Sequence, residues 1–194
     1  MQTILAPHLL LEAYRLGIFP MADEDGQIHW FSPDPRAIIE LDRFHVPRTL
    51  RQVYRQRRFD VRVDTAFERV IRACADRPEP TWISPEIIHA YTRLHRLGHA
   101  HSVESWQSGR LAGGLYGVAL GGAFFGESMF HRVTDASKIA LMALVERLTR
   151  RGFCLLDVQF DTPHLGRFGT QEIPRTEYLC RLQQAVLKTC RFAD

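Results

Sequence analysis

The chain has 194 residues, of which 45% are hydrophobic and 24% charged, with a formal charge of +3. These values describe a soluble globular protein with one sizeable core and room for a small satellite domain, and they exclude a disordered chain. No apolar run reaches the roughly 18 residues of a membrane span, and Met1 to Met21 lacks the basic start and cleavage site of a signal peptide, so a cytoplasmic location is expected.

Pro7 to Leu16 has helical apolar spacing and ends at Gly17, a residue suited to the left-handed close of a helix. The following GIFPMADEDGQIHWFSPDPR reads as an ordered, aromatic-rich loop. RAIIEL is expected as a strand, VPRTLRQVYRQ as a helix, FDVRV as a strand and TAFERVIRACAD as a helix. From Arg36 to Arg77 eleven arginines stand against six carboxylates, so residues 1–80 are expected to form a small basic α+β domain. Such a segregated charge attracts a polyanion such as RNA, although an arginine-rich solvated surface would look the same in sequence.

Residues 81–194 are expected to form a second, α+β sheet domain. PEIIHAYTRLHRLG is a helix with proline in its first turn. HSVESWQ, RLAGGLYGVAL and AFFGE form a three-strand meander joined by tight turns at Ser108-Gly109 and Gly121-Gly122. ASKIALMALVERLTRR is a long helix that Thr134 or Asp135 can cap. CLLDVQF is a buried strand, and a last helix runs from Pro174 to Leu187.

Four cysteines, Cys74, Cys154, Cys180 and Cys190, form no C-x-x-C pair and are expected as reduced, mostly buried thiols. His95, His99 and His101 lack a matching third ligand, so no metal is expected, and no cofactor is called for. Ser128 lacks the flanking glycines of a nucleophile elbow. In LLDVQF the period of two places Asp157 and Gln159 on one face, just before the loop DTPHLG, a pattern that marks either a site or a polar strand end facing water. Glu127, between β-forming apolar residues in FFGESMF, must turn to solvent or hold a partner, since an unpaired buried carboxylate is costly. Trp30 and Trp82 lie in proline-bounded loops, where they serve as packing anchors or as stacking surfaces for a base.

The segments AYRLGIFPM, HWFSPDPRAII, FHVPRTLR, TWISPEIIHAYTRLHRLGHAHSVESW, GGLYGVALG, FFGESMFHRVTDASKIAL and LLDVQF, with HLGRFG and EIPRTEYL, together resemble the leucyl/phenylalanyl-tRNA–protein transferases, in one order from about residue 9 to residue 182. The resemblance implies a cytoplasmic bacterial enzyme with an acetyltransferase-like (GNAT-like) C-terminal domain. It would move Leu, Phe or Met from aminoacyl-tRNA to proteins beginning with Arg or Lys, which marks them for degradation. It places an aminoacyl pocket on Leu115, Phe124, Met129, Leu141, Leu144 and Leu156, with Gly126 and Glu127 at its rim. It places the terminal adenosine on Trp82, and catalysis on Asp157 and Gln159 with Glu127 facing the amino groups. Met21 stands where many members have Trp, with Trp30 as a possible substitute, and Arg167 and Thr170 replace smaller residues. Two competing readings are an acyl-coenzyme A acetyltransferase and a non-catalytic tRNA-binding adaptor. The first needs a glycine-rich turn that opens a helix, and the nearest match, HRLGHA, ends one.

Overall fold

The computed structural model describes residues 5–78 and 80–193. Its frame is a seven-stranded sheet in the order β4 (Asp60–Val63), β5 (Ala100–Gln107), β6 (Arg110–Leu120), β7 (Ala123–His131), β8 (Leu155–Gln159), β3 (Arg36–Ile39), β9 (Thr170–Ile173). The meander of β5 (Ala100–Gln107), β6 (Arg110–Leu120) and β7 (Ala123–His131) forms as expected, followed by the long helix α5 (Ala136–Arg150) and the strand β8 (Leu155–Gln159). β8 returns parallel to β7, while the other pairings described in this sheet are antiparallel. This meander, long helix and returning strand follow the element order read from the sequence of the second half.

Two strands from the first 80 residues join the same sheet: β3 (Arg36–Ile39) lies between β8 and β9, and β4 (Asp60–Val63) pairs with β5. The sheet therefore runs across the division expected near residue 80. Two short features depart from the sequence reading. The aromatic loop contains a hairpin, β1 (Phe19–Ala22) with β2 (Ile28–Phe31), so Trp30 sits on a strand opposite Pro20. Phe19 and Phe31 stack across it with ring centroids 6.2 Å apart, and the Asp23 carboxylate holds the turn by accepting from the Asp25 and Gln27 amides. The edge strand β9 (Thr170–Ile173) escapes the sequence because TQEI has no apolar alternation.

Two apolar layers cover the sheet. α5 packs on β5, β6 and β7 from one side; α1 (Pro7–Arg15), α3 (Phe67–Ala75), α4 (Pro85–Arg96) and α6 (Arg175–Val186) cover the other. The short helix α2 (Arg48–Arg55) rests on α5. Asp135 stands at the start of α5 with φ of 70° but does not cap it; its carboxylate meets Lys138 instead, at 2.8 Å. Of the cysteines only Cys74 is fully buried, with Cys154 and Cys180 exposed, because the latter two fall on outward positions. Glu104, fully buried in β5, is satisfied by the Ala66 amide, the Ser102 and Thr65 hydroxyls and the Trp106 indole, so it ties the sheet to the start of α3. Among the described residues no helix is long and apolar enough to cross a membrane.

β6 and β7 approach so closely that glycine is required at position 117. A Cβ there would lie 2.2 Å from the Phe125 carbonyl oxygen and 2.5 Å from the Phe124 ring. Gly117→Ala should lower stability by at least the about 1–3 kcal/mol of an overpacked core, read from urea unfolding midpoints.

Candidate active site

β7 and β8 pair from Ala123↔Leu155 to Phe125↔Asp157 and then part, although β7 runs on to His131. Each strand carries an irregularity at this point. Glu127 has no partner on β6, where Tyr116 faces Ser128 and Gly117 faces Gly126. Val158 has none on β3, where Ile38 faces Asp157 and Ala37 faces Gln159. Bulges of this kind re-aim side chains and end pairing. Here the two open a cavity of about 680 Å³.

The floor of the cavity is apolar. Leu115 and Met129, paired across β6 and β7, meet Leu141 and Leu144 of α5 and Leu156 of β8. Gly126 and Glu127 also line the cavity. Phe124 does not line it: this residue is still inside the paired stretch, opposite Leu156, and is fully buried with its ring 5.0 Å from that of Phe192. Trp82, Phe19, Met21 and Phe160 line the cavity as well, whereas Trp30 is not among the lining residues and is 39% exposed. Arg77 fixes the rim near Trp82 by donating to the Cys74 carbonyl, the Ser128 hydroxyl and the Met129 carbonyl.

The polar wall is made by three groups whose roles the structure separates. Asp157 is fully buried and does not face the cavity. Its carboxylate takes two bonds from Arg36, Nε to Oδ1 at 2.9 Å and Nη2 to Oδ2 at 2.6 Å, one from the Tyr178 hydroxyl at 2.7 Å and one from the Gln159 amide at 2.9 Å. Arg36 is itself buried, between the Phe19 and Tyr178 rings at 4.8 and 4.4 Å, and donates to the Gly17 carbonyl. Four donors fill the acceptor sites of a carboxylate, which leaves Asp157 an anchor with no lone pair directed at the cavity. The held residue is Gln159, whose φ of 61° is in the left-handed region that costs a side-chain-bearing residue energy. That turn delivers the Gln159 side chain to the cavity, where its amide nitrogen is 3.4 Å from Glu127 Oε1.

Glu127 also accepts from the Tyr14 hydroxyl at 2.7 Å, and Tyr14 in turn meets the Tyr91 hydroxyl. Burial pushes the Glu127 carboxyl up to about 8 against the opposing effect of the Tyr14 hydrogen bond, with the nearby Asp157 charge adding to the rise. At neutral pH this carboxyl is therefore largely protonated. The residue pattern singled out Glu127 and Gln159, and the resemblance added the apolar residues, but Tyr14, Arg36, Tyr91 and Tyr178 escaped both. The one available signal was a lone arginine opening the otherwise apolar RAII. Of the histidines set aside as metal ligands, His101 bonds Asp64 at 2.7 Å and His95 the Ala100 carbonyl at 2.8 Å.

A family model described as leucyl/phenylalanyl-tRNA protein transferase matches residues 38–183, and the model of that family's N-terminal domain matches residues 4–34. The leucyl/phenylalanyl-tRNA–protein transferase of Gloeobacter violaceus is 61% identical over 193 residues, which cover 99% of this chain and 100% of that one. Those of Rubrobacter xylanophilus and Herpetosiphon aurantiacus are each 57% identical, covering 97% of this chain and 99% and 98% of their own.

Two outcomes are expected of the polar wall. Arg36→Met strands a buried carboxylate and should cost about 3–5 kcal/mol, while the double variant Arg36→Met, Asp157→Leu should recover part of the loss; urea melts of the three proteins check this. For Glu127, the unfolded chain ionises near 4.5 and the folded chain near 8, so the folded state binds more protons between these values. Its contribution therefore declines as pH rises through that window and is level above it. The melting temperature of Glu127→Gln relative to wild type should climb from pH 5 to pH 8 and then stay constant.

Proposed function

The chain belongs to the leucyl/phenylalanyl-tRNA–protein transferase family and is an aminoacyltransferase; from that premise we propose that it moves Leu, Phe or Met from aminoacyl-tRNA to the amino terminus of proteins beginning with Arg or Lys, in the cytoplasm, and so marks them for degradation. The observation that carries the reading is the cavity where β7 and β8 part, with its apolar floor closed at one end by Glu127 and Gln159.

The donor side chain occupies the floor between Met129, Leu115 and the α5 leucines, and the terminal adenosine stacks on Trp82. The exposed arginines of and after α2, Arg48, Arg51, Arg55, Arg57 and Arg58, supply the field that draws in RNA. The aminoacyl ester is already activated, and an acceptor α-amine with a pKa of about 7.7–8.0 has an appreciable neutral fraction. The acceptor nitrogen attacks the ester carbon, the bond to the ribose oxygen breaks, and the amine proton ends on that oxygen. The protein's part is proximity and orientation, which in well-aligned reactions is worth up to about 7–11 kcal/mol. Gln159, held in place by Asp157, orients the amine. Glu127 receives the donor's ammonium, and because its carboxyl is protonated until about pH 8, that contact is coupled to release of a proton.

The acetyltransferase and adaptor readings give way to one assay. Purified protein is mixed with an Arg-initiated peptide and either Leu-tRNA or acetyl-coenzyme A, and the product is weighed. The expected mass gain is one leucine from the first donor and none from the second; an acetyl gain, or no gain with either, overturns the proposal. Gln159→Ala should lower the single-turnover rate at saturating donor far more than it weakens donor binding. Trp82→Ala should weaken binding by about 1–3 kcal/mol without altering its salt dependence. In donor competition Ile- and Val-charged tRNA should be used less than Leu-tRNA by factors corresponding to about 1–3 kcal/mol, and Met129→Trp should exclude Phe before smaller side chains.

A further inference from the structure

Beside the large cavity lies a smaller recess of about 290 Å³, between the end of β7, the first turn of α5 and the loop that follows β8. His131, Ser137 and His164 line both, so a single layer of side chains separates them. The recess is basic: His131, Lys138, His164 and Arg167 face it, and the one carboxylate there, Asp135, is engaged by Lys138 at 2.8 Å. Arg167 therefore stands as an unneutralised cation among the described residues lining the recess. His164 Nε2 is withheld from solvent, yet no described protein group hydrogen-bonds it. Burial, followed by the charges of Lys138, His131 and Arg167, holds the His164 imidazole below its usual range. The hydroxyl-bearing Thr134 and Ser137 supply further donors, and the first turn of α5 directs the positive end of its dipole here.

We propose that this recess binds a phosphate of the donor's backbone, adjacent to the nucleoside that carries the amino acid. An unfilled polar imidazole nitrogen and an arginine without a carboxylate call for a compact anion with several acceptor oxygens. The assignment rests on the transferase reading above, which places a nucleotide chain at the neighbouring cavity and so makes the donor's own phosphodiester the nearest anion. Arg167, in a loop where the resemblance led to smaller residues, then gives this chain a hold on the donor that is separate from the apolar floor.

Arg167→Gln is the test, because this side chain is exposed and its loss need not disturb the core. Two donors are compared: Leu-tRNA, and leucyl-adenosine, which carries no phosphate. The variant should bind Leu-tRNA several-fold more weakly at low salt and flatten the slope of log affinity against log salt by about 0.7, the value for one phosphate contact on a single strand. With leucyl-adenosine it should match wild type, and Arg167→Lys should recover part of the Leu-tRNA binding. Inorganic phosphate should compete with Leu-tRNA on wild type and lose that effect in Arg167→Gln. Equal losses with both donors, an unchanged slope, or phosphate competition that survives the substitution each overturn the proposal, as does a change confined to the KM of the acceptor peptide, which would put a peptide carboxylate in the recess. Wild type that uses neither donor would instead refute the transferase reading itself, together with this inference.

Discussion

The two-pronged contact between Arg36 and Asp157 lies where three parts of the molecule meet: β3 supplies the guanidinium, β8 the carboxylate, and α6, through Tyr178, a third donor. Taking both charges out of water costs several kcal/mol per ion, so an ion pair here is a poor device for stability alone. Its geometry suits it to fixing position. With every lone pair of Asp157 occupied, the carboxylate can neither rotate nor turn toward the cavity, and its bond to the Gln159 amide holds the chain in a left-handed turn that glutamine would otherwise avoid. The same turn lies just past the last β7–β8 pair, so the anchor also marks where the strands separate.

From this anchor the site divides into a rigid wall and a softer floor. The wall is a continuous chain of hydrogen bonds from Arg36 through Asp157 to the Gln159 amide, and from the Gln159 side chain through Glu127 and Tyr14 to Tyr91. In a poorly solvated setting such chains strengthen one another and resist rearrangement. The floor is methionine and leucine on an apolar layer, side chains that repack at little cost. On the proposed reading, a wall that holds the reacting groups still and a floor that admits Leu, Phe or Met would answer two different demands with different materials.

The division also explains what the sequence discloses. Regular elements were legible where burial leaves a pattern: the helical spacing of Ile87, Tyr91 and Leu94 matches a covered face, and RLAGGLYGVAL is a run between turns that is buried on both faces. β9 was not legible, since an edge strand of Thr, Gln and Glu has no apolar face to reveal it. Within the site, period two places Asp157 and Gln159 on one face, but it cannot register a bulge. The extra residues at Glu127 and Val158 decide which groups reach the cavity, and they are set by pairing between distant segments. For the same reason Asp157 and Gln159, adjacent on one face of an ideal strand, have different stations, one sealed beneath the sheet and one delivered to the cavity.

Placement of the remaining polar groups follows from solvation. Asp157 and Glu104 are both fully buried carboxylates, and each keeps four donors, which is the condition for burying a charge. Glu127 sits 3.4 Å from Gln159 and accepts from one hydroxyl, too few partners to sustain a full charge, and it keeps its proton instead. A carboxyl left in that condition in the lining of an apolar cavity is one that an incoming cation can ionise, whereas Asp157, already satisfied, has nothing to gain from a substrate. The difference between the two acids is thus a count of hydrogen-bond donors, and it places the responsive group at the cavity and the inert one behind it.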